Sequence, residues 1–175
     1  IRKQKEFWSR LLYVDKRVLI PRPETETVVE VVKERFRDRE VSPGHTMMDV
    51  CCGSGALGLA IASFMPGKWV LTDLDADALA VAKINCEKYS GDGPFSPVLA
   101  DLFKPFDNSS DFNLIVSNPP YVKRSALPAL PAGVRNFEPV RALDGGEIGL
   151  EILEKLVTLS PNYLAEGGLL VTEIA

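Results

Sequence analysis

The chain has 175 residues, 46% of them hydrophobic and 25% charged, which is enough for one domain with a real core. No apolar run approaches the ~20 residues of a membrane-spanning helix, and a formal net charge of −4 argues against a broad basic surface for nucleic acid. Three cysteines, two of them adjacent at Cys51 and Cys52, make no disulfide framework and point to a reducing compartment; the single histidine, His45, with no spaced Cys/His cluster, argues against a zinc site.

Residues 1–23 read as a leading segment. Its first five residues lack the apolar core of a signal peptide, and a chain that does not start with Met reads as a fragment. Val14, Val18 and Ile20 alternate with polar positions, and Asp15-Lys16-Arg17 is placed to turn a small hairpin. Pro21-Arg22-Pro23-Glu24-Thr25-Glu26 is a stiff loop whose acidic end suits a helix N-terminus. Val28, Val29, Val31, Val32 and Phe36 predict an apolar helix face ending near Arg39, followed by a Ser42-Pro43-Gly44 loop. His45 reads as a surface residue.

Met47-Met48-Asp49-Val50 predicts the first sheet strand, running into Cys51-Cys52-Gly53-Ser54-Gly55. Such small residues let a backbone turn tightly against a ligand, and the helix face of Leu57, Ala60, Ile61 and Phe64 follows. The turn is no P-loop, because no Gly-Lys-Ser/Thr follows it. Trp69-Val70-Leu71-Thr72 predicts a second strand ending at Asp73. An acid there suits a ribose diol; its other reading is a helix N-cap, a task open to Asp75 or Asp77 for the helix through Leu79, Ala82 and Ile84.

Pro97-Val98-Leu99-Ala100 predicts a third strand, followed by Asp101-Leu102-Phe103 and a polar turn from Asp107 to Asp111. The fourth strand, from Phe112 to Ser117, delivers Asn118-Pro119-Pro120-Tyr121. Two prolines cannot continue a strand, so the backbone turns at the sheet's C-terminal edge, where α/β folds bind ligands. The Asn118 amide oxygen and the Pro119 carbonyl can each accept one N–H of a planar group bearing an NH2, and the Tyr121 ring can cover its flat face. The plainer reading is an ordinary strand-ending turn. The Pro/Ala-rich stretch from Lys123 to Ala142 reads as a loop over the site. A helix carrying Leu150, Leu153, Leu156 and Val157, a turn from Pro161 to Gly168, and a fifth strand, Leu169-Leu170-Val171, complete the chain. Alternating strands and helices predict a doubly wound, mostly parallel α/β sheet of order 3-2-1-4-5, with the switch point between the first and fourth strands.

These residues resemble the class I S-adenosylmethionine-dependent methyltransferases, which have a Rossmann-like sheet, and within them the HemK-type protein-glutamine methyltransferases. The likeness covers Glu6-Phe7-Trp8-Ser9, Leu19-Ile20 with the Pro-Arg-Pro-Glu-Thr-Glu loop, Asp49 with the small-residue turn, Asp73, Asp101-Leu102-Phe103, Asn118-Pro119-Pro120-Tyr121, Glu138-Pro139, Ala142-Leu143, Gly145-Gly146, Gly149-Leu150 and Glu173. The Asn-Pro-Pro-Tyr motif is shared with adenine and guanine amino methyltransferases, whereas the Pro-Arg-Pro-Glu-Thr-Glu segment is more specific to the glutamine enzymes. The resemblance implies that Cys51, Cys52, Gly53, Ser54 and Gly55 wrap the methionine part of S-adenosylmethionine. It implies that Asp73 holds the ribose, that Asp101 and Leu102 border the adenine, and that Thr25 reaches the amino-acid end. Asn118, which also borders the cofactor, Pro119, Pro120 and Tyr121 would hold a glutamine side chain of a protein, a peptide-chain release factor, in the cytoplasm. The family commonly has Gly where this chain has Cys51, which puts the turn's conformation in question. By the same comparison, residues 24–175 form a methyltransferase domain lacking the last two strands, and an amino-terminal helical domain is absent. The alternatives are methylation of a nucleic-acid amino group and a non-catalytic cofactor-binding scaffold.

Overall fold

The computed structural model describes residues 3–39, 41–104, 106–107 and 111–174. The middle of the polar turn expected after Asp107 lies outside them. A five-stranded parallel sheet forms the centre, with strands β3 (Thr46–Val50), β4 (Lys68–Asp73), β5 (Phe95–Leu99), β6 (Phe112–Ser117) and β7 (Leu164–Thr172). Its order is β5-β4-β3-β6-β7, the expected 3-2-1-4-5. Met47, Met48, Val50, Leu114, Ile115 and Val116 have no exposed surface, because β3 and β6 are central strands covered on both faces.

Strand alternation divides the core. Met47, Leu114 and Val116 pack with α1 (Glu26–Arg35), α2 (Ala56–Ala62) and α3 (Ala76–Lys88). Met48, Val50 and Ile115 face the other way, with Phe103, Phe112 and Leu156 of α5 (Glu151–Leu159), the helix that follows the four-residue α4 (Ala132–Arg135). The sequence pattern overstated two helix faces. In α1 the buried positions are Val28, Val29 and Val32 while Val31 is exposed, and in α5 only Leu156 is buried. Pro97 sits within β5 because that strand is an edge, where a missing N–H costs no ladder bond. The stretch expected to turn before the last strand is itself extended. β7 begins at Leu164 and absorbs an irregularity, so that Leu169 rather than an earlier residue faces Leu114.

The hairpin forms earlier than the sequence suggests. β1 (Gln4–Phe7) and β2 (Arg10–Tyr13) pair antiparallel around Trp8 and Ser9, which take φ of 48° and 58°. Two consecutive left-handed residues match the twist of the flanking strands, and neither being Gly or Asn hides the turn from sequence. Asp15-Lys16-Arg17 instead makes a local turn in which Asp15 accepts the Arg17 N–H and caps its guanidinium. The hairpin is fixed to α3 by fully buried Asn85, whose amide both donates to and accepts from the Tyr13 backbone. Among the described residues no helix is long and apolar enough to cross a membrane.

Candidate active site

β3 and β6 run side by side from Met47↔Leu114 to Val50↔Ser117, so both leave the sheet at one edge. There the Ser117 hydroxyl donates to the Val50 carbonyl at 2.7 Å, tying the two strand ends together. After Val50 the chain makes its small-residue turn with Cys51 at φ 57°, Gly53 at 53° and Gly55 at 80°. Gly55 faces inward: a Cβ there would lie 2.9 Å from Leu71 Cδ2, and its left-handed φ starts α2. Asp73, at the end of β4, accepts the Gly53 N–H on one oxygen and the Asp75 N–H on the other, both at 2.9 Å. Burial raises its carboxyl above the usual range, against the pull of those two bonds. Asp75 caps α3 by accepting the Asp77 N–H, which removes the cap as a reason for Asp73.

These elements enclose a cavity of about 330 Å³. Its wall includes Thr25, Cys51, Cys52, Gly53, Ser54, Asp73, Asp101, Leu102, Asn118 and Pro120, which makes neighbours of most residues picked from sequence. Pro139, Val140, Arg141 and Ala142 close part of it, so the end of the Pro/Ala-rich stretch does reach the site. Gly55, Pro119 and Tyr121 stand outside the wall. The Tyr121 hydroxyl donates to Glu173 at 3.0 Å, and burial, with the Glu173 charge second, pushes the phenol up to about 12. Gly145 lets the backbone of Tyr121 pass close by, since a Cβ there would approach Tyr121 Cα to 2.7 Å. His45 is half-buried rather than on the open surface, and lies away from the cavity.

Polarity in the cavity is lopsided. The carboxylates of Asp49, Asp73, Asp75, Asp101 and Asp144 line it against the guanidiniums of Arg17 and Arg141. Arg17 is already spent on Asp15 at 2.7 Å, Asp144 on Arg124, Asp101 on Lys104 and Asp75 on Arg141, which leaves the deep pair Asp49 and Asp73 without a basic partner among the described residues. The field therefore favours a cationic ligand carrying hydrogen-bond donors. Asp49, read from sequence as a strand residue and as the start of the family-like turn but given no role, is 1% exposed; one oxygen accepts the Gly58 N–H at 2.9 Å and the other has no partner. Burial first, and the Asp73 charge to a smaller degree, push its carboxyl up to about 7, while the Gly58 bond opposes them. The available signal was a lone carboxylate inside an apolar run.

The Asn118 side chain is held by its nitrogen, which donates to the Thr25 hydroxyl at 3.1 Å. Its oxygen is buried without a partner. A buried acceptor without a donor costs about 1–3 kcal/mol, so this oxygen is free to accept a hydrogen bond from a group that enters the cavity. Residues 25–130 match the family described as Methyltransferase small domain.

The chain belongs to that family.

Among curated proteins, it is 39% identical over 97% of its length to a release factor glutamine methyltransferase of Clostridium acetobutylicum, covering 59% of that protein. It is 33% identical over 92% of its length to a ribosomal protein uL3 glutamine methyltransferase of Francisella tularensis subsp. tularensis, covering 51%. The chain thus spans between half and three-fifths of the length of these relatives. A methyltransferase structure from Pyrococcus furiosus superposes with a TM-score of 0.61 at 18% identity, over 94% of this chain and 68% of that one, which supports the fold.

Within this methyltransferase fold, Cys51 carries strain that a glycine would not. A left-handed φ costs a residue with a Cβ about 1–2 kcal/mol, and glycine gives back about 0.5–1 kcal/mol through unfolded-chain entropy. Cys51→Gly is therefore expected to gain about 0.5–1 kcal/mol and raise the melting temperature by roughly 1–4 °C for a domain of this size. Calorimetry on both proteins checks it, and an equal or lower midpoint would mean that thiol packing outweighs the backbone strain. The thiol is not a nucleophile in waiting, since burial and then the Asp73 charge push it up.

Proposed function

We propose that this chain forms the S-adenosylmethionine-binding part of a protein-glutamine methyltransferase, with a peptide-chain release factor as acceptor. The observation that carries the reading is the unpaired, buried Asn118 oxygen beside an acidic cavity. S-adenosylmethionine, when bound, supplies an electrophilic methyl group. Its cationic centres and ribose hydroxyls suit a wall built of carboxylates. Asp73 would hold the ribose, the 51–54 turn the methionine part, and Asp101 and Leu102 the adenine. The orphan oxygen of Asp49 suits a further donor or cation at the methionine end.

Asn118 and the Pro119 carbonyl orient the acceptor. An amide nitrogen is a poor nucleophile because its lone pair is delocalised, so alignment matters more than proton abstraction. Two oxygens accepting the amide N–H bonds fix the nitrogen and favour the positive charge that develops on it. Tyr121, neutral at physiological pH, lines the acceptor side without adding charge.

The test is parallel transfer of labelled methyl from S-adenosylmethionine to purified release factor, ribosomal protein uL3, RNA and DNA, with mass spectrometry locating the product. Label on a release-factor glutamine is the expected result. Label on uL3 alone would redirect the acceptor, an outcome that the Francisella relative makes specific. Label on nucleic acid alone would overturn the amide reading.

The cofactor assignment has its own measure. Asp73→Ala should weaken S-adenosylmethionine binding by about 1.5–3 kcal/mol, the scale of charge-assisted hydrogen bonds. Isothermal titration of the folded variant reads this, with Asp73→Asn as the control that keeps an acceptor for the Gly53 N–H. Unchanged affinity would remove Asp73 from the ribose site.

A further inference from the structure

We propose that Thr25 is a positioning residue for methyl transfer, whose hydroxyl holds the Asn118 side chain with its oxygen toward the acceptor amide. This rests on the glutamine reading of the site. The two residues are 93 positions apart, and their contact joins the Pro-Arg-Pro-Glu-Thr-Glu loop to the Asn-Pro-Pro-Tyr turn. The bond thus joins two segments that meet only in the folded chain.

The physical case starts from the amide. The end of an asparagine side chain rotates in a broad, roughly two-fold well, so its own torsions do not aim it. A single contact at the nitrogen removes that freedom and leaves the oxygen as the free end. Here the contact is the Thr25 hydroxyl, and the free oxygen is buried without a partner. Both residues belong to the cavity wall.

Thr25 is built to hold still. It is 4% exposed and β-branched, which restricts its first side-chain torsion. It ends the short turn Pro23–Thr25, where its N–H donates to the Arg22 carbonyl, and α1 begins at the next residue. The loop is clamped on both sides of it: Arg22 pairs with buried Glu138 at 2.6 Å, and Glu26 accepts the Trp8 N–H at 2.9 Å. Val28, Val29 and Val32 anchor the helix in the core. Movement of Thr25 is thus restricted by the loop, the helix and the hairpin together.

The experiment measures single-turnover methylation of release factor at saturating cofactor, with cofactor affinity titrated separately. Thr25→Val keeps the shape and removes the hydroxyl; it is expected to slow transfer 10- to 100-fold while cofactor affinity stays within twofold. Thr25→Ser is expected to restore most of the rate. The double variant Thr25→Val/Asn118→Ala should be no slower than Asn118→Ala, because a positioning residue has nothing left to position; a purely structural role would make the two losses multiply. Thr25→Ala takes the place of Val if the valine variant does not fold.

A parental rate in Thr25→Val, or multiplying losses in the double variant, overturns the proposal. So does a fall in cofactor affinity with an unchanged saturated rate, which would assign Thr25 to the cofactor. These outcomes leave the glutamine reading intact, since the parental chain is active in each. A parental chain that methylates no glutamine overturns both.

Discussion

Replacing Asn118 by Ala is expected to slow single-turnover methyl transfer by roughly 10²–10³-fold, the usual loss for one preorganised polar contact to a developing charge, while leaving cofactor affinity unchanged. The separation follows from geometry. Asn118 is anchored through its nitrogen and its oxygen has no partner in the fold; on the proposed reading that oxygen accepts from the substrate amide, with the Pro119 carbonyl as the second acceptor. Asn118→Asp sharpens the test. Its anchor, the Thr25 hydroxyl, can donate as well as accept, so a carboxylate need not be repelled there. The aspartate variant is therefore expected to transfer faster than the alanine variant. Parental rates in both variants would reduce the tetrapeptide to a turn.

The second large effect is on stability and concerns Asp49. Its folded carboxyl is raised from an ordinary 3.8 to about 7, so the folded state holds a proton that the unfolded chain has released over that interval. Stability from this group is therefore fully present below about pH 4, falls as pH rises between 4 and 7, and stays low above 7. At about 1.4 kcal/mol per tenfold change in acidity, the fall is on the order of 4 kcal/mol. Asp49→Asn keeps an oxygen for the Gly58 N–H and cannot ionise. It should match the parent near pH 4 and exceed it by about 2–4 kcal/mol at pH 8, less whatever the new buried NH2 costs. Denaturant unfolding at pH 4, 6 and 8 measures the difference, in which the contributions of groups that do not interact with Asp49 cancel, while the coupled Asp73 adds to it. Parallel curves for the two proteins would show that Asp49 does not titrate as its burial requires.

Much of the fold was legible because local and global preferences agree. The runs at Met47, Trp69 and Phe112 are apolar on successive residues, as central parallel strands must be, and they occur where expected. Small residues after Val50 and two prolines after Ser117 could only end those strands, so the sheet edge at which both turns lie was legible as well. The hairpin was misplaced because Trp8 and Ser9 adopt a left-handed turn that their side chains do not advertise. Val31 and Val157 were assigned to buried faces and are exposed, since periodicity marks a stripe but not its width.

What the sequence determined by itself was therefore the order of elements and the chemical kind of each residue at the sheet's edge: an amide, small turn residues and acids. Tertiary structure alone decided how those groups face one another. The Thr25–Asn118 bond, the Arg22–Glu138 pair and the unpartnered oxygens of Asp49 and Asn118 arise between segments far apart in the chain, or from burial by them. Hydrogen-bond direction and burial depend on angles and tenths of an ångström that packing sets. A one-dimensional pattern records which groups are available, and only the folded chain settles which of them are left unpaired to meet a ligand.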